Sequence, residues 1–409
     1  MPLIVLPLLV LASILSYGFG KLGGLLPLTL SNLLIFSGFS ISVLYSMRIK
    51  TFLYNKYYLV FGAYILLATL AGAGGGVGSG IHFFSYYIIY SFTILTTIYL
   101  VGVESFFKLY IKFAIFLAAF AVFQVISDLI GFPYLNDLIR LYSENKNSSR
   151  SGGILRATSF ASEPAVLGLY LLPVLVLSVF RLMGQSNLSQ YISIKNACLI
   201  LSAILMTFSL LVYLYVGMIC TYYMVKSKNF IALSIGGVFL FAGVLGVNYS
   251  ESINERVDEL SRYEELIDSR QLSVFAIVSN LIVVKESMST SPFMGTGAVS
   301  HGDKYDGLIH LYVEDGYSGI GLNRDDGASL YLRFLSEFGL IGLALYLFLL
   351  IKGGRGGKSF DGLAEIFLFS LILYGIRYGS INITLFWLFL SCFIFSLKHG
   401  GLVRFEFGR

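Results

Sequence analysis

Charge is scarce in this chain. Asp, Glu, Lys and Arg make up 12% of 409 residues while 56% are hydrophobic, and a soluble domain of that length does not cover its surface with so little charge. Cysteine is scarcer still. Cys198, Cys220 and Cys392 each lie inside an apolar run, so neither a disulfide framework nor a metal site is expected. The histidines add no ligand pattern: His301 and His310 stand at no metal-binding interval and read as loop residues. The glycine-rich turn Gly72–Gly80 has no lysine and no preceding strand, which excludes a phosphate-binding P-loop and leaves a tight turn. No basic segment precedes the first apolar run, Leu3–Tyr17, so a retained span is expected there rather than a signal peptide. The small positive balance carries no nucleic-acid signal, and no cofactor is expected.

What is abundant is apolar sequence. Runs of about 15 to 25 residues recur along the chain, each able or nearly able to cross roughly 30 Å of hydrocarbon as a helix. The fold class expected is an all-α polytopic membrane protein with roughly twelve transmembrane helices, drawn at 3–17, 25–46, 57–73, 81–103, 113–131, 164–180, 197–208, 209–225, 230–247, 331–351, 363–376 and 380–397. Short cytoplasmic loops are enriched in Lys and Arg. Arg48, Lys50 and Lys56, Lys108 and Lys112, Arg181 and Lys195, Lys226 and Lys228, Lys352, Arg355 and Lys358, and the tail Lys398, Arg404 and Arg409 fall on one face if both termini are cytoplasmic. The chain then divides into N-terminal helices (1–131), a periplasmic loop (132–163), central helices (164–247), a large periplasmic loop (248–330), and C-terminal helices with a cytoplasmic tail (331–409).

This topology depends on splitting the run 197–225 at Ser209, where the hydroxyls of Thr207–Ser209 can satisfy the backbone groups that a break releases. Within the large loop, Ile253, Val257, Leu260 and Ile267 recur at helical spacing among acidic residues, which predicts an amphipathic helix on the membrane surface or capping the bundle. Ser273–Val284 is apolar enough to dip back toward the membrane, and Pro292 ends that element.

Two arginines on one expected face stand beside helix-breaking sequence: Arg156 in SGGILRATSFASEPAVLGLY and Arg270 in IDSRQ. A guanidinium offers a planar fork of donors suited to a diphosphate, although a membrane-edge arginine also snorkels or pairs with an acid. Glu163, just before Pro164, is either a helix cap or an acid/base group. Asp325 and Asp326 before Gly327 are either a general base for a sugar hydroxyl or a plain turn leading into a helix. Arg377 interrupts the last apolar pair as a third cation or an interfacial anchor.

These stretches resemble the O-antigen polymerase and ligase superfamily. RATSFASEPAVLG is similar to that family's arginine, phenylalanine and Glu-Pro segment leading into a mid-chain span. Arg270 followed by PFMGTG resembles its arginine and Pro-x-x-Gly-x-Gly pair. ASLYLRFLSEFGLIGLALY resembles the segment that closes the large loop and ends in Gly-x-x-Gly, here Gly339 and Gly342. The resemblance spans residues 150–350. In the ligase pattern a histidine falls where this chain has Ala328, which favours a polymerase over a ligase.

The resemblance implies a membrane-embedded glycosyltransferase of GT-C type in the bacterial inner membrane, with its active site facing the periplasm. Its substrates would be undecaprenyl-diphosphate-linked glycans among membrane lipids, and a chain-length regulator protein is a further expected partner. Arg156, Arg270, Glu163, Asp325 and Asp326 form the expected catalytic set; Arg377, Arg324, Arg333, Gly295 and Gly297 form the substrate-binding set. A lipid-linked oligosaccharide flippase is the rival from the transporter class, but it would place its charges within the spans and show paired broken helices in matching halves.

Overall fold

A computed structural model of the chain describes residues 2–16, 30–48, 51–71, 77–132, 150–151, 153–161, 163–227, 272–313, 320–355, 362–379, 384–396 and 402–406. Arg270, the span expected at 230–247 and the amphipathic helix expected around 253–267 lie outside the described residues.

The described residues are predominantly helical: α1 (Pro2–Ser16), α2 (Leu30–Arg48), α3 (Lys56–Ala71), α4 (Val77–Val101), α5 (Val103–Leu129), α6 (Pro164–Leu182), α7 (Ile194–Leu205), α8 (Leu210–Ser227), α9 (Leu272–Thr290), α10 (Ser300–Ile309), α11 (Leu330–Arg355), α12 (Leu363–Arg377) and α13 (Thr384–Phe395). Two short antiparallel pairings accompany them, β1 (Thr51–Asn55) with β4 (Leu402–Glu406) and β2 (Arg150–Ser151) with β3 (Ile154–Leu155). Four stretches, Phe83–Val101, Val103–Leu129, Pro164–Leu182 and Leu330–Ile351, are long and apolar enough to cross a membrane. The chain is a helical protein of membrane type, in which a backbone surrounded by hydrocarbon satisfies its polar groups within each helix.

The chain forms two compact units, one of residues 1–41, 97–251 and 359–370, the other of 42–96, 252–358 and 371–409. In the first, α6 is buried from Val166 to Phe180. Gly168 lets Val212 of α8 pack where a Cβ would overlap it. Pro173 lacks an N–H and disturbs the preceding helical turn, and the Tyr110 hydroxyl of α5 donates to the Tyr170 carbonyl there at 2.6 Å. Helix α5 buries Phe106, Phe107, Tyr110, Ile111, Ala114, Leu117, Ala118 and Ala121, a 3–4 spacing that marks one packed face. Its other face exposes Phe116, Phe123 and Ile126, which lipid accommodates and water does not.

Lys108 and Lys112, expected in a loop, lie on α5 itself. The helix breaks only at Gly102, at φ 82°, and the apolar spacing runs on through residues 106–111. Lys108 therefore pairs with Glu104 one turn back, at 2.8 Å, and the basic residues there mark a helix end, not a connecting loop.

The second unit has an aromatic core. The Tyr87 and Trp387 rings meet edge to face with centroids 4.8 Å apart, and Phe61 and Phe334 do the same at 5.6 Å. Under α9 and α10, Phe275, Val283, Tyr305, Ile309 and Val313 form a smaller cluster. Ser273–Val284 thus belongs to a helix with one buried face, and that helix ends at Thr290, just before Pro292.

Candidate functional site

In the first unit the long apolar run breaks between α7 and α8, at Met206–Ser209, with Phe208 at φ 44°. A break strands carbonyls that water cannot reach, and each finds a donor. The Thr207 hydroxyl donates to the Ile204 carbonyl at 2.7 Å and accepts from the Ser209 N–H at 3.3 Å. The Tyr213 hydroxyl donates to the Leu205 carbonyl at 2.5 Å. The Ala157 N–H donates to the Met206 carbonyl at 2.8 Å and Arg156 Nε donates to the Thr207 carbonyl at 3.1 Å. Arg156 therefore serves the helix break with one edge of its half-buried guanidinium.

Its segment is held from the other side by Gln124 of α5, whose Oε1 accepts from the N–H groups of Thr158 and Ser159 at 3.1 and 3.0 Å. Gln124 is buried, the lone amide on the packed face of a 27-residue apolar helix. Glu163 occupies the N-cap position of α6 with extended backbone, but its side chain makes no capping hydrogen bond and is exposed.

In the second unit the two glycine motifs interlock. Gly339 takes φ 64° inside α11 and breaks it into two helical halves. In an unbroken helix the N–H groups of Leu340 and Ile341 would bond to Ser336 and Glu337. Instead they donate to the Pro292 and Phe293 carbonyls at 2.9 and 3.1 Å, while the Ser336 and Glu337 carbonyls accept from the Thr296 and Gly297 N–H groups at 3.0 and 2.9 Å. Four orphaned backbone groups are satisfied by one turn, and leaving any of them unmade would cost about 1–3 kcal/mol. Gly295, at φ 70°, lies flat on the Glu337–Phe338 peptide. Gly295 and Gly297 are both buried under this break, so in the described structure their part is to let two backbones meet.

Above the break lies a buried polar cluster. Arg333 and Glu337, one turn apart on α11, pair at 3.1 Å with side-chain exposures of 4% and 0%. The contact is ionic without a straight hydrogen bond. The Val299 and His301 N–H groups, at the start of α10, face the Glu337 carboxylate, and the positive end of a helix dipole favours an acid there. Arg333 Nη1 donates to the Gly379 carbonyl at 3.3 Å and its guanidinium lies 5.9 Å from the Phe83 ring centroid.

His301 is no loop residue: it sits in the first turn of α10, fully buried, with Nδ1 2.7 Å from Ser336 Oγ and Nε2 2.6 Å from Asn280 Oδ1. Asn280 Nδ2 donates to the Ala276 carbonyl, which orients the amide and makes Oδ1 the acceptor. Nε2 therefore carries the proton, and the Ser336 hydroxyl, whose one proton also has the Arg333 carbonyl within reach at 3.1 Å, lies beside Nδ1. Burial, then the Arg333 charge, push the imidazole from its ordinary 6.5 down to about 3. An unfolded chain takes up a proton between those values that the folded chain refuses, so stability is complete above pH 6.5 and is lost as pH falls toward 3. His301→Gln, which keeps a donor and an acceptor, is expected to flatten this dependence when thermal unfolding in detergent is followed across that window; an unchanged slope would refute it.

The loop 321–329 packs on this cluster. Asp326 Oδ1 accepts from Asn323 Nδ2 at 2.9 Å and from the Ala328 N–H at 3.0 Å, a turn closed by its own side chain. Burial raises its carboxyl above the ordinary value, while those hydrogen bonds and the charges of Arg377 and Arg333 pull the other way. Arg377, at the end of α12, reaches the Ala328 carbonyl with Nη1 at 3.3 Å and, at 3.4 Å, Asn323 Oδ1 with Nη2. Gly379 lies against the Asp326 carbonyl with no room for a Cβ. Asp325 points outward at 83% exposure and pairs with Arg324 at 2.7 Å. Arg324 also grips Asp306 with two nitrogens, and those hydrogen bonds hold the Asp306 carboxyl below its ordinary value.

Of the expected site residues, Asp326, Arg333, Arg377 and the Gly295–Gly297 turn converge in the second unit, with Asp325 and Arg324 on its exposed edge. Arg156 and Glu163 belong to the first unit. The sequence reading missed Gln124, Asn280, Ser336 and Glu337. Glu337 had a visible signal, a carboxylate one helical turn after Arg333 in an apolar run; Gln124 had a weaker one, as a lone amide. The chain matches no protein-family model, and neither a curated protein nor a solved structure matches it.

Proposed function

We propose that this chain is a membrane-embedded glycosyltransferase that polymerises undecaprenyl-diphosphate-linked oligosaccharide repeat units into O-antigen or a related surface polysaccharide. The observation that carries the reading is the interlock of SPFMGTG with the Gly339 break. Two segments that resemble the polymerase and ligase superfamily are one physical piece, and it underlies a cluster of cations and a half-buried carboxylate. In this reading the chain has roughly twelve spans in a GT-C-type arrangement in the bacterial inner membrane, and residues 248–330 form a large loop on the periplasmic face.

The donor is a glycan on undecaprenyl diphosphate. As its anomeric bond breaks, negative charge develops on the diphosphate, and arginines in a poorly hydrated pocket stabilise it; losing one such donor raises a barrier by on the order of 3 kcal/mol. Arg156, in the first unit, and Arg270, outside the described residues, are the arginines to which this reading gives that role. A hydroxyl of a second lipid-linked unit attacks while a carboxylate accepts its proton. The reaction draws on the diphosphate bond already present in the donor, and a chain-length regulator protein is the expected partner.

The test is deletion of the gene in its source strain, with surface lipopolysaccharide run on a gel. Collapse of the ladder to core carrying a single repeat unit is the expected result, because flipping and ligation still operate. Loss of even the single repeat would favour a flippase or a ligase, and full-length polymer accumulating on undecaprenyl diphosphate would single out the ligase. An Arg270→Ala chain that restores the ladder would overturn the diphosphate role.

A further inference from the structure

The two aspartates of the loop 321–329 are neighbours in sequence but not in chemistry. Asp325 is solvated and already paired with Arg324. Asp326 is half-buried, and its two oxygens are unequal. Oδ1 is fixed by Asn323 and the Ala328 N–H. Oδ2 accepts no hydrogen bond among the described residues, yet it is not one of the polar atoms sealed inside the protein. A carboxylate anchored by one oxygen, with no hydrogen-bond donor on the other among the described residues, in a wall of buried Gly327, Ala328 and Gly379, is oriented to receive a proton.

We propose that Asp326 is the general base that takes the proton of the attacking sugar hydroxyl, an assignment that rests on the glycosyl-transfer reading above. Oδ2 accepts the hydroxyl proton as the hydroxyl oxygen uses its electron pair to bond to the anomeric carbon of the donor. The bond from that carbon to the diphosphate oxygen breaks, and the leaving lipid diphosphate keeps the electron pair. The proton then passes from Oδ2 to water, which restores the carboxylate. Asp325, fully hydrated, lacks the low-dielectric setting that makes a carboxylate an effective base near neutral pH, and Glu163 is exposed at a helix start.

Among the described residues, the charged and titratable groups facing the loop are Arg377 at the end of α12, Arg333 on α11, and on α10 His301, whose Nε2 lies under Gly327, Tyr305, whose hydroxyl accepts from the Gly321 N–H, and Asp306, which pairs with Arg324 beside Asp325. Arg377 and Arg333 favour the ionised carboxylate.

The deletion strain is complemented with the full chain, wild type or variant, and membrane levels are measured alongside the ladder. Asp326→Asn keeps the Oδ1 acceptor and loses only the basic oxygen. It is expected to reach the membrane at the wild-type level and to lower polymerisation by on the order of a hundredfold or more. Asp326→Asn that restores the ladder overturns the assignment, and so does its loss from the membrane, since the carboxylate would then be holding the loop. A second measurement uses membrane vesicles supplied with lipid-linked repeat units. Arg377→Gln removes a cation that favours ionised Asp326, so its activity is expected to fall at a higher pH on acidification than the wild type's; an unmoved acid limb overturns the proposal. A wild-type chain that fails to restore the ladder sinks the polymerase reading itself, whereas a functional Asp326→Asn sinks only the base.

Discussion

Gly295→Ala is expected to deplete the folded protein from the membrane. Gly295 has φ 70°, and a Cβ built on it overlaps the Glu337 carbonyl carbon and the Phe338 nitrogen. The left-handed backbone alone costs an ordinary residue about 1–2 kcal/mol. The overlap adds more, because both neighbours are backbone atoms of the broken α11 and neither can rotate aside. Relief requires the turn 291–297 to lift, which breaks the four backbone hydrogen bonds that satisfy the helix break. Losses of that size rival the roughly 5–15 kcal/mol that holds a domain folded. Gly307→Ala is the control: it stands on the exposed face of α10 with nothing within 4 Å of a new Cβ, and alanine there is expected to be neutral or to stabilise by up to about 1 kcal/mol. Immunoblots of membranes and thermal unfolding in detergent report both. A Gly295→Ala chain that accumulates and melts like wild type would show that the interlock is not essential.

Breaking the Arg333–Glu337 pair is the second large effect expected. With exposures of 4% and 0%, neither charge has water to fall back on. Removing one partner from such a pair typically destabilises by about 3–5 kcal/mol, whereas replacing both by apolar residues of similar volume is often neutral or stabilising. Arg333→Met and Glu337→Leu alone should each lower the melting temperature strongly; Arg333→Met also loses the hydrogen bond to the Gly379 carbonyl. The double variant should recover most of that loss. If it is stable but makes no polymer, Arg333 acts on substrate as well as on Glu337. If the two single losses simply add, the pair is not coupled in the way its geometry requires.

The residues of the site divide along the same line. Asp326 and Asp325 are adjacent, and local sequence offers no reason to prefer one; burial against Gly379 and the contact of Asp325 with Arg324 separate them. His301 reads as a loop histidine because it stands in the polar insert at no ligand spacing to His310 or to a cysteine, yet α10 turns it inward to Asn280 and Ser336, partners 21 and 35 residues away. Arg156 was legible as a special residue from its helix-breaking neighbours, but not that the carbonyl it serves is Thr207, 51 residues on.

The sequence by itself determined that the chain is predominantly helical and of membrane type, since length and apolarity decide both. It also pointed to the break at Thr207–Ser209, because a split there keeps the basic segments on one face and its hydroxyls can serve the freed backbone. It marked residues 291–297 and 336–342 as unusual through their glycines. Only the tertiary structure decided that those two glycine motifs complete each other, that Lys108 and Lys112 ride on a helix, and that Arg333 and Glu337 face inward together. The reason is physical: helix formation is a local balance of hydrogen bonding and apolar spacing, whereas the partner of a stranded carbonyl or a buried charge is set by which distant segment folds against it.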